Sequence, residues 1–467
     1  MEYRYVNTRH SGNAATDQYG TGNGRAAPAP SGPLRRRWYV VIVLALATLM
    51  SYLDRGVIAV VVPSLQADLG LSDVQIGLLQ GVSFSFFFAL AGIPMGRLAD
   101  RVNRRNLIIV GVLLWSLMTM LCGVAGSFAT LFIARMGVGI GEAVLIPAAA
   151  SMIADMFAPA QRGMPMSVIV AAQSLGAAGA SLLGGMLLVY FAGKSLFILP
   201  FVGKASEWRT IFIVFGMGGP LVALLLASIK EPARTGIDEA NNDRFFGFLT
   251  SHSHLFVLVY LSFAANFVIA YSTALWSPTV LSRVFGMTTA QAGITFGLTM
   301  IIANISGSTL GGVIGDRLAS RAKGAARLGL SITAAPFAAF GGCVMLVAPT
   351  ATLYLVGFAI AGFAVGVLIV NSYPLLYDVV PGSMRGQAAA IYMIVGNIIG
   401  LGGGPLLVAL LTQHLFKNPM AAGTSVGLVV SVAGASCLAC LVLVAGAYRS
   451  LARVGTGLSG SDAQRSG

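Results

Sequence analysis

Twelve apolar stretches, each long enough to cross a lipid bilayer, leave this chain little choice of architecture. Their approximate limits are 38–63, 74–99, 105–126, 129–156, 163–192, 208–229, 254–284, 289–315, 326–348, 351–379, 386–414 and 422–448. A bilayer core is crossed by about 20 apolar residues in a helix. A helix also satisfies its backbone polar groups within one segment, as a lipid environment demands. Composition closes the soluble alternative: the 467 residues are 56% hydrophobic and only 10% charged, where a soluble domain carries about 25% charge. The expected fold is an all-α membrane protein of twelve transmembrane helices in two six-helix halves, with the bilayer as solvent.

The polar segments divide the chain. Residues 1–37 read as a disordered tail ending in Arg35-Arg36-Arg37, followed by a six-helix domain over 38–229. A linker at 230–253, containing "KEPARTGIDEANNDR", leads to a second six-helix domain over 254–450 and a tail over 451–467. An even number of spans puts both termini on one side. Of the 29 Lys and Arg residues, 22 lie in tails and loops on that side. By the positive-inside bias that side is the cytoplasm, and the membrane is expected to be a bacterial inner membrane. The same bias explains the net charge of +13 without nucleic acid. The four cysteines lie in apolar runs with no zinc-like or disulfide-like spacing, and the four histidines form no ligand set. No metal and no cofactor is expected, nor an enzyme activity, and the chain is read as a monomer.

The halves repeat. "LGLSDVQIG" at 69–77 matches "FGMTTAQAG" at 285–293, and the same shift of 216 carries "GRLADR" at 96–101 onto "GVIGDR" at 312–317, pairing Asp100 with Asp316. A shift of 223 carries Asp155 and Arg162-Gly163 onto Asp378 and Arg385-Gly386. Parallel six-helix repeats with one cavity between them describe a secondary transporter.

"GRLADRVNRRNLI" resembles the loop 2–3 signature of the major facilitator superfamily, with Asn103 where that pattern usually has Gly. The resemblance implies the major facilitator fold and a gating role for Gly96, Arg97, Asp100, Arg101 and Arg104. A narrower resemblance covers most of the first half: "YLDR" at 52–55, "RMGVGIGEA" at 135–143, "IADMFAPAQRG" at 153–163 and "EWRTIFIVFG" at 207–216 are similar to the spinster-like branch. Eukaryotic members of that branch are linked to lysophospholipids and sphingosine phosphate. Their helix 1 Asp and helix 4 Glu, here Asp54 and Glu142, are implicated in proton coupling. The repeated charges at the termini side, Arg97 with Asp155 and Arg162, and Asp316, Arg317, Asp378 and Arg385 in the second half, are expected to latch the halves together in one state.

The residues themselves lead to the same two acids and add two bases. Of sixteen acids, only Asp54 and Glu142 lie inside spans away from their ends, and Arg55 and Arg135 are the only bases so placed. An ionised group at mid-bilayer costs roughly 3 kcal/mol on insertion scales. From helical rise, Asp54 lies about 13 Å deep, Glu142 about 18 Å and Arg135 about 9 Å, so one cluster can hold them all. Asp54 and Arg55 point about 100° apart, so neither is simply the other's partner. Shifting by the repeat gives Ala270, Tyr271 and Val365 in the second half, which has the fold without the charges. That asymmetry favours coupling chemistry in the first half, with a buried structural ion pair as the alternative. Asn266, Tyr271, Asn304, Asn371, Tyr373 and Asn397 are candidate cavity residues, each equally able to tie helix to helix. The expected function is proton-coupled movement of an amphipathic or anionic small molecule. An organic-anion or drug transporter of the same fold is the alternative, and a non-transporting membrane sensor the rival of another class.

Overall fold

The computed structural model describes residues 33–158, 161–194, 198–199, 203–234, 242–322, 324–380 and 384–463. Most of the expected first tail and part of the linker lie outside the described residues. Among those described, twelve helical spans are long and apolar enough to cross a membrane: Leu34–Leu69, Asp73–Gly92, Arg104–Val124, Phe128–Met156, Gly163–Phe191 and Glu207–Ser228, then Ser253–Arg283, Thr289–Leu318, Arg327–Leu346, Ala351–Val379, Arg385–Leu415 and Pro419–Gly446. They are numbered spans 1 to 12 below. Span 1 starts inside the stretch read as a tail, because Pro33 with extended backbone sits as its N-cap and the basic run Arg35–Arg37 is already helical. At the other end one helix continues from Ala422 to Ala463, past the expected end of the second domain. Within the linker lies a short helix, Asn242–Ser251. A two-residue antiparallel pair, Ile198–Leu199 with Gly203–Lys204, caps the loop between spans 5 and 6.

Glycine sets the close packing inside the first half. Span 5 approaches span 1 where Gly56 faces Ala180, and a Cβ at Gly56 would lie 2.6 Å from the Ala180 methyl. Spans 3 and 4 touch through Gly111 and Gly141. Small residues allow such approach where lipid supplies no hydrophobic drive for helix association.

The two halves meet at the face away from the termini, here the far face. There the outer part of span 1 packs on span 7, span 5 on span 8, and span 2 on span 11. Asp73 of span 2 accepts from both terminal nitrogens of Arg283 at the end of span 7, at 2.8 and 2.9 Å. Arg283 also donates to Gln66 of span 1 at 2.6 Å, and the Val74 N–H donates to Gln413 of span 11 at 3.0 Å. At the near face, the termini-side parts of spans 4 and 11 pack mainly within their own halves. Arg97, Arg101, Asp378 and Arg385 stand exposed there. The molecule is therefore closed at the far face and open toward its termini.

Two spans depart from α-helix where they cross. Leu78–Val82 of span 2 and Gly396–Gly403 of span 11 are π-helical. A Cβ on Gly81 would lie 2.6 Å from the Leu401 carbonyl oxygen and 2.7 Å from that of Gly402. Beside this crossing Gln80 donates to the Leu275 carbonyl of span 7 at 2.9 Å. The irregular turn of span 11 includes Gly402 and Gly403 of the glycine run before Pro405 and starts upstream of it, at Gly396.

Candidate functional site: a buried charge cluster between broken helices

Both spans that carry the mid-membrane charges are interrupted next to them. Span 1 is helical over Leu34–Gly56 and again over Ile58–Leu69, so Asp54 and Arg55 end its first segment. Span 4 is helical over Phe128–Glu142 and again over Leu145–Met156, so Glu142 ends its first segment. Pro147 accounts for the second break: it has no N–H for the Ala143 carbonyl four residues back, and its ring crowds that carbonyl. A cation at a helix C-terminus complements the negative end of the helix dipole and a carboxylate does not. Arg55 thus gains from its position, whereas Glu142 depends on side-chain donors.

Those donors are present. Arg55 donates to Glu142 Oε2 at 2.7 Å and Ser51 to the same oxygen at 2.6 Å. The Arg55 guanidinium lies 4.4 Å from the ring centres of Tyr52 and Phe84 and 5.2 Å from that of Phe88. Thr119 of span 3 donates to Asp54 Oδ2 at 3.3 Å. Arg135 reaches the break in span 1, with its two terminal nitrogens each 3.5 Å from a carbonyl oxygen, those of Asp54 and Arg55. The relative exposures of Asp54, Arg55, Arg135 and Glu142 are 0%, 6%, 1% and 1%. Asp54 Oδ1, Glu142 Oε1, Arg55 Nε and Arg135 Nε are buried without a hydrogen-bond partner. The structure brings all four expected side chains together within the first half. Arg55 pairs with Glu142 rather than with its neighbour Asp54.

The termini-side charges are arranged differently from the expectation. Arg104 is almost fully buried. It donates to Asp155 at 2.5 Å, Glu231 at 2.7 Å, Ser151 at 2.8 Å and the Pro232 carbonyl at 3.1 Å. It thereby fastens the start of the linker to spans 3 and 4. Arg162 donates to the carbonyls of Phe157 and Ala154 in its own half. Asp316 accepts from Arg327 at 2.7 Å, Arg317 is exposed, and Arg385 donates to the Tyr377 carbonyl at 3.0 Å. Gly96 is half-buried, and the Asp100 side chain lies outside the described residues.

The cavity candidates split. Asn371 is a correction: fully buried, it donates to the carbonyls of Gly311 and Val367 and joins span 10 to span 8. Asn266 is another. It lies inside the second half beside Ser262, Ser331 and Cys437, contributed by spans 7, 9 and 12. The Asn371 amide is thus used to bond helices rather than to face the space between the halves. Asn397 donates to the Met393 carbonyl of its own span at 2.8 Å, and Asn304 is half-buried on span 8. Tyr271 and Tyr373 are partly exposed.

Sequence reasoning missed the far-face network. Asp73 lies within a repeated motif, and its counterpart under the shift of 216 is Thr289. That asymmetry was a usable signal. Its partner Arg283 lies 210 residues away, and no local pattern joins them.

The comparisons with known proteins agree with this geometry. The family model for the Major Facilitator Superfamily matches residues 44–404. The chain is 35% identical over 296 residues to an MFS-type efflux pump of Mycolicibacterium smegmatis, covering 62% of this chain and 65% of the pump. It is 29% identical over 406 residues to human protein spinster homolog 1, covering 81% of this chain and 74% of that one. Among solved structures it resembles a bacterial homolog of the human lysosomal transporter spinster in an inward-facing, unoccupied conformation. That match has a TM-score of 0.71 and 25% identity, covering 89% of this chain and 96% of the other. A D-xylose-proton symporter, 19% identical with a TM-score of 0.66 and coverage of 86% and 97%, shares the fold. The protein is an integral membrane transporter, not an enzyme. It belongs to the major facilitator superfamily, within its spinster-like branch.

Proposed function

We propose that the protein is a proton-coupled secondary transporter of a bacterial inner membrane, moving an amphipathic small molecule by alternating access. Both termini are cytoplasmic in this reading, as the 22 Lys and Arg residues on that side favour. The observation that carries proton coupling is the pair of buried mid-span carboxylates. Asp54 and Glu142 each keep one oxygen without a donor, beside two guanidiniums and two helix breaks.

The mechanism follows from elementary electrostatics. A carboxylate in a poorly hydrated site holds its proton more tightly, and a nearby guanidinium opposes that. Rocking of the halves changes both hydration and the guanidinium distance, so the two states differ in proton affinity, and protonation biases the conformational equilibrium. In this reading Arg55 and Arg135 set the proton affinity. The near-face charges, Arg97, Asp100 and Asp155 with Asp316, Asp378 and Arg385, latch the state opposite to the one described here. The Arg283–Asp73 pair holds the far face shut. A second reading, drug export, is supported by the similarity to the mycobacterial efflux pump. Purified protein in proteoliposomes is expected to carry a solute-dependent proton flux. A solute flux with no proton movement at any pH would exclude the coupling.

A further inference from the structure

A serine or threonine inside a helix has an acceptor at hand, the backbone carbonyl one turn back. The spans use it repeatedly. Thr48, Ser83, Thr273 and Thr412 each donate to the carbonyl four residues before them, at 2.8 Å. Ser51, three residues after Thr48, does otherwise. Its hydroxyl crosses from span 1 to span 4 and donates to Glu142 Oε2 at 2.6 Å. That is the length of a hydroxyl on an ionised carboxylate, about 2.5–2.7 Å.

Two donors therefore meet on one oxygen. Ser51 and Arg55 are four residues apart, on one face of the first segment of span 1. Both end on Glu142 Oε2. Ser51 is 2% exposed and Glu142 1%, so bulk water replaces neither bond. Arg55 has a second hold on its place, because Tyr52, Phe84 and Phe88 surround its guanidinium. The serine hydroxyl has one proton to give, and it gives it to the carboxylate. A neutral carboxyl is the weaker acceptor, so the bond favours the ionised form. With Glu142 protonated, the hydroxyl has the Ala47 carbonyl of its own helix to return to.

The other charged and titratable groups within electrostatic reach are Asp54, Arg55 and Tyr52 of span 1 and Arg135 of span 4 itself. Cys122 of span 3 acts on Asp54 and Arg135, and Tyr271 of span 7 acts on Arg55. Span 2 contributes the uncharged rings of Phe84 and Phe88. Deleting the Ser51 hydroxyl changes none of these groups.

We propose that Ser51 is a positioning residue of the proton site: its hydroxyl, turned from its own helix onto Glu142 Oε2, holds that carboxylate in the ionised form beside Arg55 and sets how readily it takes up a proton. The proposal rests on the coupling reading above and names the residue that tunes one of its two carboxylates.

The test is an infrared titration of the full-length protein in liposomes, with no solute and no gradient, following the C=O stretch of protonated carboxyls against pH. Asp54→Asn serves as the background, so that Glu142 is the one mid-span acid left in the first half. The Glu142 band is the one lost when Glu142→Gln is added. In that background Ser51→Ala is expected to move the midpoint of the band upward by about one to two pH units, the weight of a hydrogen bond to a charged group. The sign follows because the lost donor favoured the ionised form. Ser51→Thr keeps the hydroxyl and should move the midpoint less than half as far. A midpoint that stays or falls in Ser51→Ala overturns the proposal, and so does a Thr variant that moves as far as the Ala one. A Glu142 band that fails to titrate in either chain overturns it as well. Ser51→Ala removes one oxygen and adds no atom, so it decides the matter even where the Thr variant does not fold. The titration involves no transport. A solute flux without proton movement would remove the coupling reading and leave the hold of Ser51 on Glu142 as measured, whereas an unmoved midpoint in a protein that carries proton flux removes this proposal alone.

Discussion

Arg283→Ala isolates the far-face closure. The Arg283–Asp73 pair is bidentate, Arg283 also holds Gln66, and the two side chains are only 17% and 9% exposed. Fully exposed pairs contribute about 0.2–1 kcal/mol, while stripping one partner from a buried pair costs about 3–5 kcal/mol. This partly buried pair belongs between those limits, at about 1–3 kcal/mol. Its two residues sit on different halves, so it exists only while the far face is closed. Its loss therefore acts on the conformational equilibrium, shifting the closed-to-open ratio at that face by about five- to 150-fold. Spin labels at Ala67 and Met420, both exposed on opposite halves of that face, with the four native cysteines replaced, read the separation by pulsed dipolar spectroscopy. Arg283→Ala and Asp73→Asn should each add a longer-distance population, and the double variant should add little beyond either single one. Unchanged distances in both single variants, or fully additive effects in the double, would refute the reasoning.

Three further outcomes are expected. Gly81→Ala places a Cβ against the Leu401 and Gly402 carbonyls, which are backbone and cannot swing aside; transport should slow several-fold with the same labels moving apart, and normal distances would count against the crossing as a closure point. Arg104→Gln leaves Asp155 and Glu231 without their shared guanidinium, a loss of about 3 kcal/mol; the melting temperature should fall, and Glu231→Gln in the same chain should recover part of it. Asn371→Leu removes the tie between spans 8 and 10; melting should come earlier with the substrate KM within about twofold, and a tenfold rise in KM at unchanged melting would restore Asn371 to the cavity, since two lost hydrogen bonds act on stability by about 1–3 kcal/mol.

The sequence made the fold legible because lipid demands long apolar helices, and the repeat made the two halves visible. The mid-span charges were legible for a related reason: with only four ionised groups at depth, counting them was enough to single out Asp54, Arg55, Arg135 and Glu142. Their pairing was not legible. Arg55 and Glu142 are 87 residues apart, and no local pattern joins them. Pro147 marked the break in span 4 in plain view. The π-helical turn of span 2 left no such mark, whereas that of span 11 overlaps the glycine run before Pro405. Asn371 misled because an amide inside a span serves helix packing as readily as a solute, and the sequence carries no record of which way it faces.

Proton coupling is proposed to run through the carboxylates of Asp54 and Glu142. It is tested most directly by comparing substrate counterflow with pH-gradient-driven uptake in proteoliposomes, for Asp54→Asn and Glu142→Gln at matched reconstitution. Counterflow needs only the conformational cycle, whereas gradient-driven uptake needs the proton site as well. The account predicts that at least one of the two variants retains counterflow and loses all response to the imposed pH gradient. Full gradient-driven uptake in both variants would contradict it, and so would two variants that melt early and fail in both assays at every pH, as a purely structural ion pair requires.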